Sequence, residues 1–229
     1  MRNIVEGKGS QTRREYVYAY LFKNIIDLTL PPGSGLSEKE IGTILNVSRT
    51  PVREAMIQLV KDNLVEIVPQ VGTYVSLIDP DIVEESRLMR EILELAIGKL
   101  AAEKMDTRSI LALEQNLHLQ RLAISEGNHW DFLTYDDEFH AIIFRSLNMQ
   151  RTWEVIDHLS GQYKRVRMMR LLTTEPASWE MIAIEHENLF VALREKDVDQ
   201  VEKRMKEHLT KGIYHLDEFK FEHPDYFKK

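Results

Sequence analysis

Residues 36–75 constrain the fold of this chain more than any other segment. Ser37 is followed three residues later by Glu40, a capping-box pattern that predicts the start of a helix. The Asn46-Val47-Ser48 turn then reverses the chain, and Ser48 or Thr50 can cap the next helix. The segment therefore predicts two helices joined by a tight turn.

A β-hairpin is predicted to follow the second helix. The apolar face of that helix consists of residues at helical spacing, namely Val52, Ala55, Met56, Leu59 and Val60. Residues 64–68 and 73–77 have the pattern of two strands, with a turn at Gln70-Val71-Gly72. Two helices followed by such a hairpin indicate a winged helix-turn-helix with a two-stranded wing.

Arg49 and Arg53 lie on the early turns of the second helix, four residues apart and off its apolar face. In a helix-turn-helix, the N-terminal residues of this helix enter the major groove of DNA. We therefore expect these two arginines to read bases.

Helix-breaking segments indicate the domain boundaries. A first helix predicted over about residues 11–27 stops at Leu30-Pro31-Pro32-Gly33, and Asp79-Pro80 follows the hairpin. We expect a flexible tail at residues 1–10, a winged helix-turn-helix domain of three helices and the wing at 11–78, a linker at 79–81 and a second domain at 82–229.

The second domain is predicted to be an all-α bundle, because no strand pattern occurs after residue 81. Six long amphipathic helices are predicted at about residues 82–104, 107–125, 128–147, 150–172, 178–195 and 198–219. The polar tail after Glu218 is expected to fray. The fold class is therefore mainly α.

Composition bears on the compartment and the partners. The sequence has no cysteine, no apolar run long enough for a membrane span and no secretion signal, so we expect a cytoplasmic protein without a membrane partner. The net charge of −7 is uneven, because residues 1–78 carry nine Lys/Arg and eight Asp/Glu, which leaves 21 and 29 for the remainder. The two parts are therefore expected to have different partners.

Four residues of the helical domain could bind a metal ion. Asp136 and His140 are four apart on one helix face, while His186 and His208 lie on two further helices beside apolar residues. Imidazole and carboxylate ligands suit zinc, nickel, manganese or iron, and spacing alone leaves that choice open. The alternative is that each histidine is a hydrogen-bonded structural residue. The other five are expected to be structural or exposed: His118, His129, His158, His215 and His223.

Arginines of the same domain could pair with the far end of a bound carboxylate. Arg90 and Arg167 are the candidates, and ordinary salt bridges are the alternative for both. Arg167 belongs to the basic run Lys164-Arg165-Val166-Arg167, which continues at Arg170. Because these side chains splay around a helix, we expect a solvated face with one inward arginine.

Both halves of the chain resemble the GntR superfamily of transcriptional regulators, in the branch whose effector domain is of the all-helical FadR C-terminal (FCD) type. In the DNA-binding half the resemblance rests on Leu30-Pro31-Pro32-Gly33, Leu36-Ser37-Glu38, Val47-Ser48-Arg49-Thr50-Pro51-Val52-Arg53-Glu54-Ala55 and Gly72-Thr73-Tyr74-Val75. In the helical half it rests on Asp136-Asp137-Glu138-Phe139-His140, Glu185-His186 and Met205-Lys206-Glu207-His208-Leu209. It covers about residues 11–215, and six effector helices look like the VanR-type subgroup.

The resemblance implies roles for individual residues. Arg49 and Arg53 would read guanines, for which arginine offers bidentate contacts. Lys39, Ser48 and Thr50 would contact phosphates or base edges, and Gly72 would lie at the wing tip near the minor groove. The metal ligands would be Asp136, His140, His186 and His208. The partners implied are palindromic double-stranded DNA, a small organic acid as effector and a second copy of the chain.

A ligand-responsive regulator, and a repressor rather than an activator, is thus the leading hypothesis. One alternative is a metal-dependent enzyme, since three histidines and an open coordination position also describe hydrolytic sites. Against it, the nearby Glu138 and Glu185 share no helix face with the histidines. The other alternative is a DNA-binding dimer whose effector site is vestigial.

Overall fold

The computed structural model describes residues 11–174, 176–211 and 216–229, so the tail predicted at residues 1–10 lies outside the described residues. The described elements, in chain order, are α1 (Arg13–Ile26), β1 (Gly35–Leu36), α2 (Glu38–Leu45), α3 (Arg49–Lys61), β2 (Val65–Val68), β3 (Gly72–Val75), α4 (Pro80–Lys104), α5 (Thr107–Ser125), α6 (His129–Ser146), α7 (Gln150–Leu159), α8 (Gly161–Thr173), α9 (Pro176–Glu195), α10 (Val198–Lys211) and α11 (Leu216–Glu222). A 3₁₀ turn, Pro224–Tyr226, follows. The fold is mainly α, with a winged helix-turn-helix first and helices thereafter, as the sequence predicts.

Local capping sets the ends of the helices in the helix-turn-helix. The Ser37 side chain accepts a hydrogen bond from the Glu40 N–H at 3.3 Å, so the first half of the predicted capping box is formed. The reciprocal bond, in which the Ser37 N–H would donate to the Glu40 carboxylate, is not formed among the described residues. Asn46 ends α2 in the left-handed conformation, with φ of 53°, which asparagine tolerates better than most residues.

The wing contains three strands rather than the predicted two. The sheet order is β1-β3-β2, antiparallel throughout, with Gly35 opposite Tyr74 and Leu36 opposite Thr73. The added strand is only two residues long, and a strand this short has no periodicity for a sequence pattern to reveal. It joins the chain before α2 to the wing, and this pairing fixes the wing beside the helix-turn-helix.

The predicted fourth helix of the second domain is two helices. It breaks at Ser160, whose hydroxyl donates to the Ile156 carbonyl at 2.6 Å, and α8 starts at Gly161. A Cβ at Gly161 would lie 3.2 Å from the Leu64 side chain. The glycine therefore allows the start of α8 to approach Leu64 of the winged helix-turn-helix domain closely, a long-range contact that local periodicity does not encode.

The predicted sixth helix covers α10 and the start of α11, and residues 212–215 between them lie outside the described residues. The predicted linker at residues 79–81 coincides with the N-cap and first turn of α4, since the Asp79 side chain accepts from the Asp81 N–H at 3.1 Å.

The C-terminal tail is ordered and does not fray as expected. Phe219 and Phe227 are buried with Ile78, Val83 and residues of α8. Residue 78 also pairs with the tail, because its N–H donates to the Tyr226 carbonyl at 2.8 Å and its carbonyl accepts from the Lys228 N–H at 2.9 Å. Burial of two aromatic side chains outweighs the polar composition of the segment.

One apolar core connects the two parts of the chain. Val17 and Leu21 of α1 belong to the same buried cluster as Phe132 of α6 and Leu171 of α8. A second cluster, centred on α4, α5, α6, α9 and α10, lies within the helical part. No helix in the described ranges combines the length and apolarity needed to cross a bilayer.

Candidate functional site

The first turns of α3 present charged side chains to solvent. Arg49 is exposed, and Arg53 has 66% of its side chain exposed. Arg53 forms a bidentate ion pair with Glu38 of α2, at 2.8 Å from Nε to Oε1 and 3.0 Å from Nη2 to Oε2. The Arg53 guanidinium holds the pKa of the Glu38 carboxyl below its ordinary value. The helix-turn-helix thus orients Arg53 by a contact between its two helices.

The remaining predicted DNA contacts surround these arginines in sequence. Lys39, Ser48 and Thr50 are exposed. Ser48 occupies the N-cap position of α3, but its side chain makes no capping hydrogen bond, which leaves its hydroxyl available to a partner. Gly72 begins β3, and a Cβ there would lie 3.1 Å from the Tyr74 hydroxyl oxygen. The glycine therefore lets the tyrosine ring fold over the start of the strand.

Three imidazoles, two of them buried and one partly buried, converge in the helical part. His140 comes from α6, His186 from α9 and His208 from α10. The Nε2 atom of His208 lies 3.3 Å from the Nε2 of His186 and 3.3 Å from that of His140. His140 and His186 are fully buried, and candidate ligand atoms of the three lie within 4.8 Å of one another.

Each of the three imidazoles has an oxygen beside its other ring nitrogen. The Nδ1 of His140 lies 2.5 Å from Glu94 Oε2, that of His186 lies 2.8 Å from Gln120 Oε1 and that of His208 lies 3.0 Å from Glu185 Oε2. The partners Glu94, Gln120 and Glu185 come from α4, α5 and α9.

A hydrogen-bond chain orients the Gln120 amide. Its Nε2 donates to Asn116 Oδ1 at 2.7 Å, and Asn116 Nδ2 donates to the Tyr135 carbonyl at 3.0 Å. The Gln120 oxygen therefore faces His186 and can only accept, which puts the imidazole proton on Nδ1. The Nε2 of His186 is left with a lone pair that points at the other histidines.

Asp136 lies beside the histidines but is also held by Arg167. Its two carboxylate oxygens lie 3.9 Å from His140 Nε2 and 3.9 Å from His186 Nε2. One of them accepts a hydrogen bond from Arg167 Nη2, and Arg167 Nη1 donates to Asp137 at 2.6 Å. Asp136 is therefore shared between the histidine cluster and α8.

Arg90 is buried and paired within the protein. Its Nε donates to Glu94 Oε1 at 2.6 Å, and its Nη1 lies 3.9 Å from Asp137. Arg90 and Arg167 therefore both form salt bridges within the protein. Both side chains also line a cavity next to His208.

The three partners of the histidines differ in how strongly the sequence alone points to them. Glu185 shares no helix face with the histidines, as the sequence indicates, but it contacts His208 of the neighbouring helix α10. Glu94 carries a weak signal, since it is four residues from Arg90 on one helix. Gln120 carries none, because its position opposite His186 depends on helix packing.

Burial sets the charge states of the cluster. It lowers the pKa of both His140 and His186, so both rings are neutral near pH 7. Burial alone would raise the pKa of Glu94, but Arg90 and His140 outweigh it and hold the value at about 2. His140 and His186 are thus neutral imidazoles, and Glu94 beside His140 is an ionised carboxylate.

Comparison with known proteins identifies the family. Residues 13–75 match the model for bacterial regulatory proteins of the gntR family, and residues 85–211 match the FCD domain. The chain is a GntR-family regulator of the FCD branch. It is 35% identical over 220 residues, 96% of each chain, to the HTH-type transcriptional repressor RspR of Escherichia coli K12.

Further relatives of this GntR regulator support the same assignment. An uncharacterised HTH-type regulator of Streptomyces ambofaciens is 30% identical over 217 residues, which cover 95% of this chain and 90% of that one. The fold matches E. coli McbR/YncC with a TM-score of 0.79 at 24% identity, covering 90% of this chain and 98% of that one. The protein is therefore a DNA-binding transcriptional regulator and not an enzyme.

The basic run of this GntR regulator is buried instead of solvated as expected. Lys164 pairs with Asp137 at 2.8 Å, and Arg165, which is 0% exposed, donates from Nη2 to the Ser76 carbonyl at 2.7 Å. Carboxylates on α6 and α7 and hydrogen-bond acceptors at the end of the wing make this burial tolerable, and tertiary packing brings all of them close.

The other histidines lie away from the cluster. His118 is exposed, His129 packs edge-on against the Trp179 ring, His158 lies 3.4 Å from Asp62 and His223 stacks on Tyr226. His215 lies outside the described residues. The four that are described are structural or exposed, as predicted.

Proposed function

We propose that this GntR regulator is a ligand-responsive repressor. A homodimer binds a palindromic operator through the winged helix-turn-helix domains at residues 11–78. The helical domain at residues 82–229 holds a divalent transition metal ion and binds a small organic acid, which lowers the affinity for the operator. The protein acts in the cytoplasm, where its DNA lies.

The convergence of three imidazole lone pairs is the observation that carries the metal proposal. The Gln120 and Glu185 oxygens accept hydrogen bonds from Nδ1 of His186 and His208, and Glu94 Oε2 lies 2.5 Å from Nδ1 of His140, so each oxygen favours a proton on Nδ1. The Nε2 lone pairs of the histidines then face one another at separations of 3.3 Å. Such an arrangement is repulsive unless a cation lies among the lone pairs, and oxygen partners on the far ring nitrogens are typical of metal-ligating histidines.

The donor set fits a first-row transition ion. Three imidazoles and the Asp136 carboxylate suit zinc, nickel, manganese or iron. When bound, the ion would supply an open coordination position for a carboxylate oxygen of the effector. Asp136 complements the ion's charge, and Arg167 pairs with that carboxylate beside the cluster.

Helix α8 provides a route from this site to the DNA-binding domain. Arg167 contacts Asp136 and Asp137, whereas Arg165 donates both to the Ser76 carbonyl and, at 3.2 Å, to its hydroxyl. Ser76 directly follows β3 of the wing. Displacement of Asp136 or Arg167 by an effector would therefore move α8, and with it the base of the wing.

On the DNA side, the exposed Arg49 and Arg53 supply base contacts, while Lys39, Ser48 and Thr50 supply backbone contacts and Gly72 brings the wing to the minor groove. Residues 1–78 carry a net charge of only about +1, from nine basic and eight acidic residues. Phosphate neutralisation is the main source of affinity for DNA. Two domains held together in a dimer therefore bind an operator far better than one.

The metal proposal is tested by elemental analysis and chelator competition. We expect about one transition ion per chain in purified wild-type protein, and little in His186→Ala. His118→Ala, an exposed histidine outside the cluster, should retain the full content. Wild-type protein that shows no zinc, nickel, manganese or iron affinity beyond that of His186→Ala would refute the site.

The effector proposal is tested by anisotropy titration of operator DNA with the metal-loaded protein. A panel of small organic acids should include members that weaken operator binding, and operator binding in turn should weaken acid binding by the same factor. The vestigial alternative predicts that Asp136→Ala with His208→Ala leaves this response and the thermal stability unchanged. We expect the double variant to lose the response.

A further inference from the structure

Within the part of the chain that the structure describes, one cation that lines the cavity beside the histidine cluster has no carboxylate partner. It is lined by Arg90, Arg167 and Arg170, together with Asp136, Glu185 and His208. The first two arginines are paired with Glu94, Asp136 and Asp137. Among the described residues, Arg170 makes no ion pair, and its guanidinium donates only a long hydrogen bond, 3.4 Å, to the Lys211 carbonyl.

Arg170 occupies a defined place relative to Asp136. It follows Arg167 by three residues on α8, so both side chains leave the same face, about 4.5 Å apart along the helix axis. Arg167 contacts Asp136, which lies beside the imidazole Nε2 atoms. Arg170 therefore lies about one helical turn farther from the metal-binding end.

The size and lining of the cavity limit what reaches Arg170. The space between the lining atoms is about 490 Å³, part of which is open to solvent, so the cavity suits a compact occupant. Phe132, Leu171 and Leu209 provide apolar walls for its carbon chain.

We propose that Arg170 binds a second carboxylate of the effector and makes the site selective for compact dicarboxylates over monocarboxylates of the same length. This inference rests on the proposed function, in which the first carboxylate lies at the metal end. A guanidinium without a carboxylate partner in a partly buried cavity gains a charge-assisted hydrogen bond only from an acid that carries a second carboxylate. A monocarboxylate bound at the metal end would have no second carboxylate to pair with Arg170.

Calorimetric titration of the zinc-loaded dimer with acid pairs matched in carbon number tests this. The dicarboxylates are malonate, succinate and glutarate, and their partners are propionate, butyrate and valerate. We expect at least one dicarboxylate to bind wild-type protein about tenfold or more tightly than its partner, which is about 1.4 kcal/mol. Arg170→Gln should abolish that ratio while leaving monocarboxylate affinity unchanged, and Arg170→Lys should restore part of it.

Arg108→Gln, an exposed arginine on α5, is the matched control and should retain the wild-type ratio. Equal affinity for both members of every pair, an unchanged ratio in Arg170→Gln, or no binding by any of the six acids would overturn the inference. Zinc content and operator binding are measured on the same preparations. Wild-type protein that holds no zinc or does not bind the operator would instead refute the proposed function.

Discussion

Two ion pairs of arginine with carboxylates illustrate how burial decides what a side chain can do. Arg53 and Glu38 pair on the surface, where the pair is screened by solvent and contributes little to stability. Arg167 pairs with Asp136 and Asp137 in a site where its side chain is only 11% exposed. Removing one member of a buried pair is costly because the other charge is left unpaired. Arg53 can therefore exchange Glu38 for a base, whereas Arg167 holds α8 in place.

Substitutions in the DNA-binding domain should separate base contacts from phosphate contacts. Arg53→Ala is expected to weaken operator binding by roughly tenfold or more while leaving non-specific DNA binding almost unchanged, because a bidentate contact to guanine is lost. Lys39→Ala should weaken binding to both DNAs and reduce the salt slope by about 1. Anisotropy titrations over a range of salt concentrations measure both, and an equal loss on both DNAs for Arg53→Ala would contradict its role.

At the scale of elements, α8 and the C-terminal tail join the two domains. α8 begins at a break in the chain, contacts Ser76 through Arg165 and reaches the cavity through Arg167 and Arg170. The tail adds backbone hydrogen bonds to Ile78 on the same side. Both elements contact the segment between β3 and α4, so the two domains are coupled by packing as well as by the chain.

Arg165→Met should uncouple the effector from DNA. Methionine fills most of the buried volume but cannot donate to Ser76, so we expect a smaller effect of acid on operator affinity, with metal content unchanged. The measurement is the ratio of operator affinities with and without a dicarboxylate that binds the wild type. Arg151→Met, an exposed arginine on α7, is the control, and a wild-type ratio in Arg165→Met would argue against transmission through α8.

Two phenylalanines near the C-terminus allow a matched test of the tail. Phe227→Ala should lower the free energy of unfolding by about 3 kcal/mol, because a buried aromatic side chain is removed from the core, where Phe227 is 4% exposed. Phe221→Ala removes the same atoms from a side chain that is 88% exposed and should change stability very little. Chemical denaturation of both variants measures the difference, and equal stabilities would mean that the tail does not dock.

At the scale of the whole molecule, buried charge makes stability depend on pH. His140 and His186 have lowered pKa values in the folded state, so the unfolded chain binds more protons once the pH falls below about 6.5. The Glu94 pKa of about 2, below its ordinary 4.5, contributes stability that is present above 4.5 and is lost as the pH falls towards 2. Both effects lower the stability of the folded state as the pH falls.

The melting temperature of chelator-treated protein should therefore fall between about pH 7.5 and about pH 5.5. Within that window the histidines cause the loss, and the carboxylates add to it only at lower pH. Calorimetry or fluorescence melting measures this, with His118→Gln, which changes an exposed histidine, as a control that should show the wild-type loss. A melting temperature that is constant or rises on acidification would contradict neutral burial of the two imidazoles.

The amino-acid sequence by itself determined the DNA-binding segment, because caps, turns and helical periodicity depend on residues within a few positions of one another. Resemblance to a family added which histidines belong together. Only the tertiary structure decided that Glu94, Gln120 and Glu185 contact the Nδ1 atoms of those histidines. It also decided that α7 and α8 separate at Ser160, that β1 joins the wing and that the tail packs on Ile78. Each of these depends on contacts between residues far apart in the chain, for which a local pattern carries no signal.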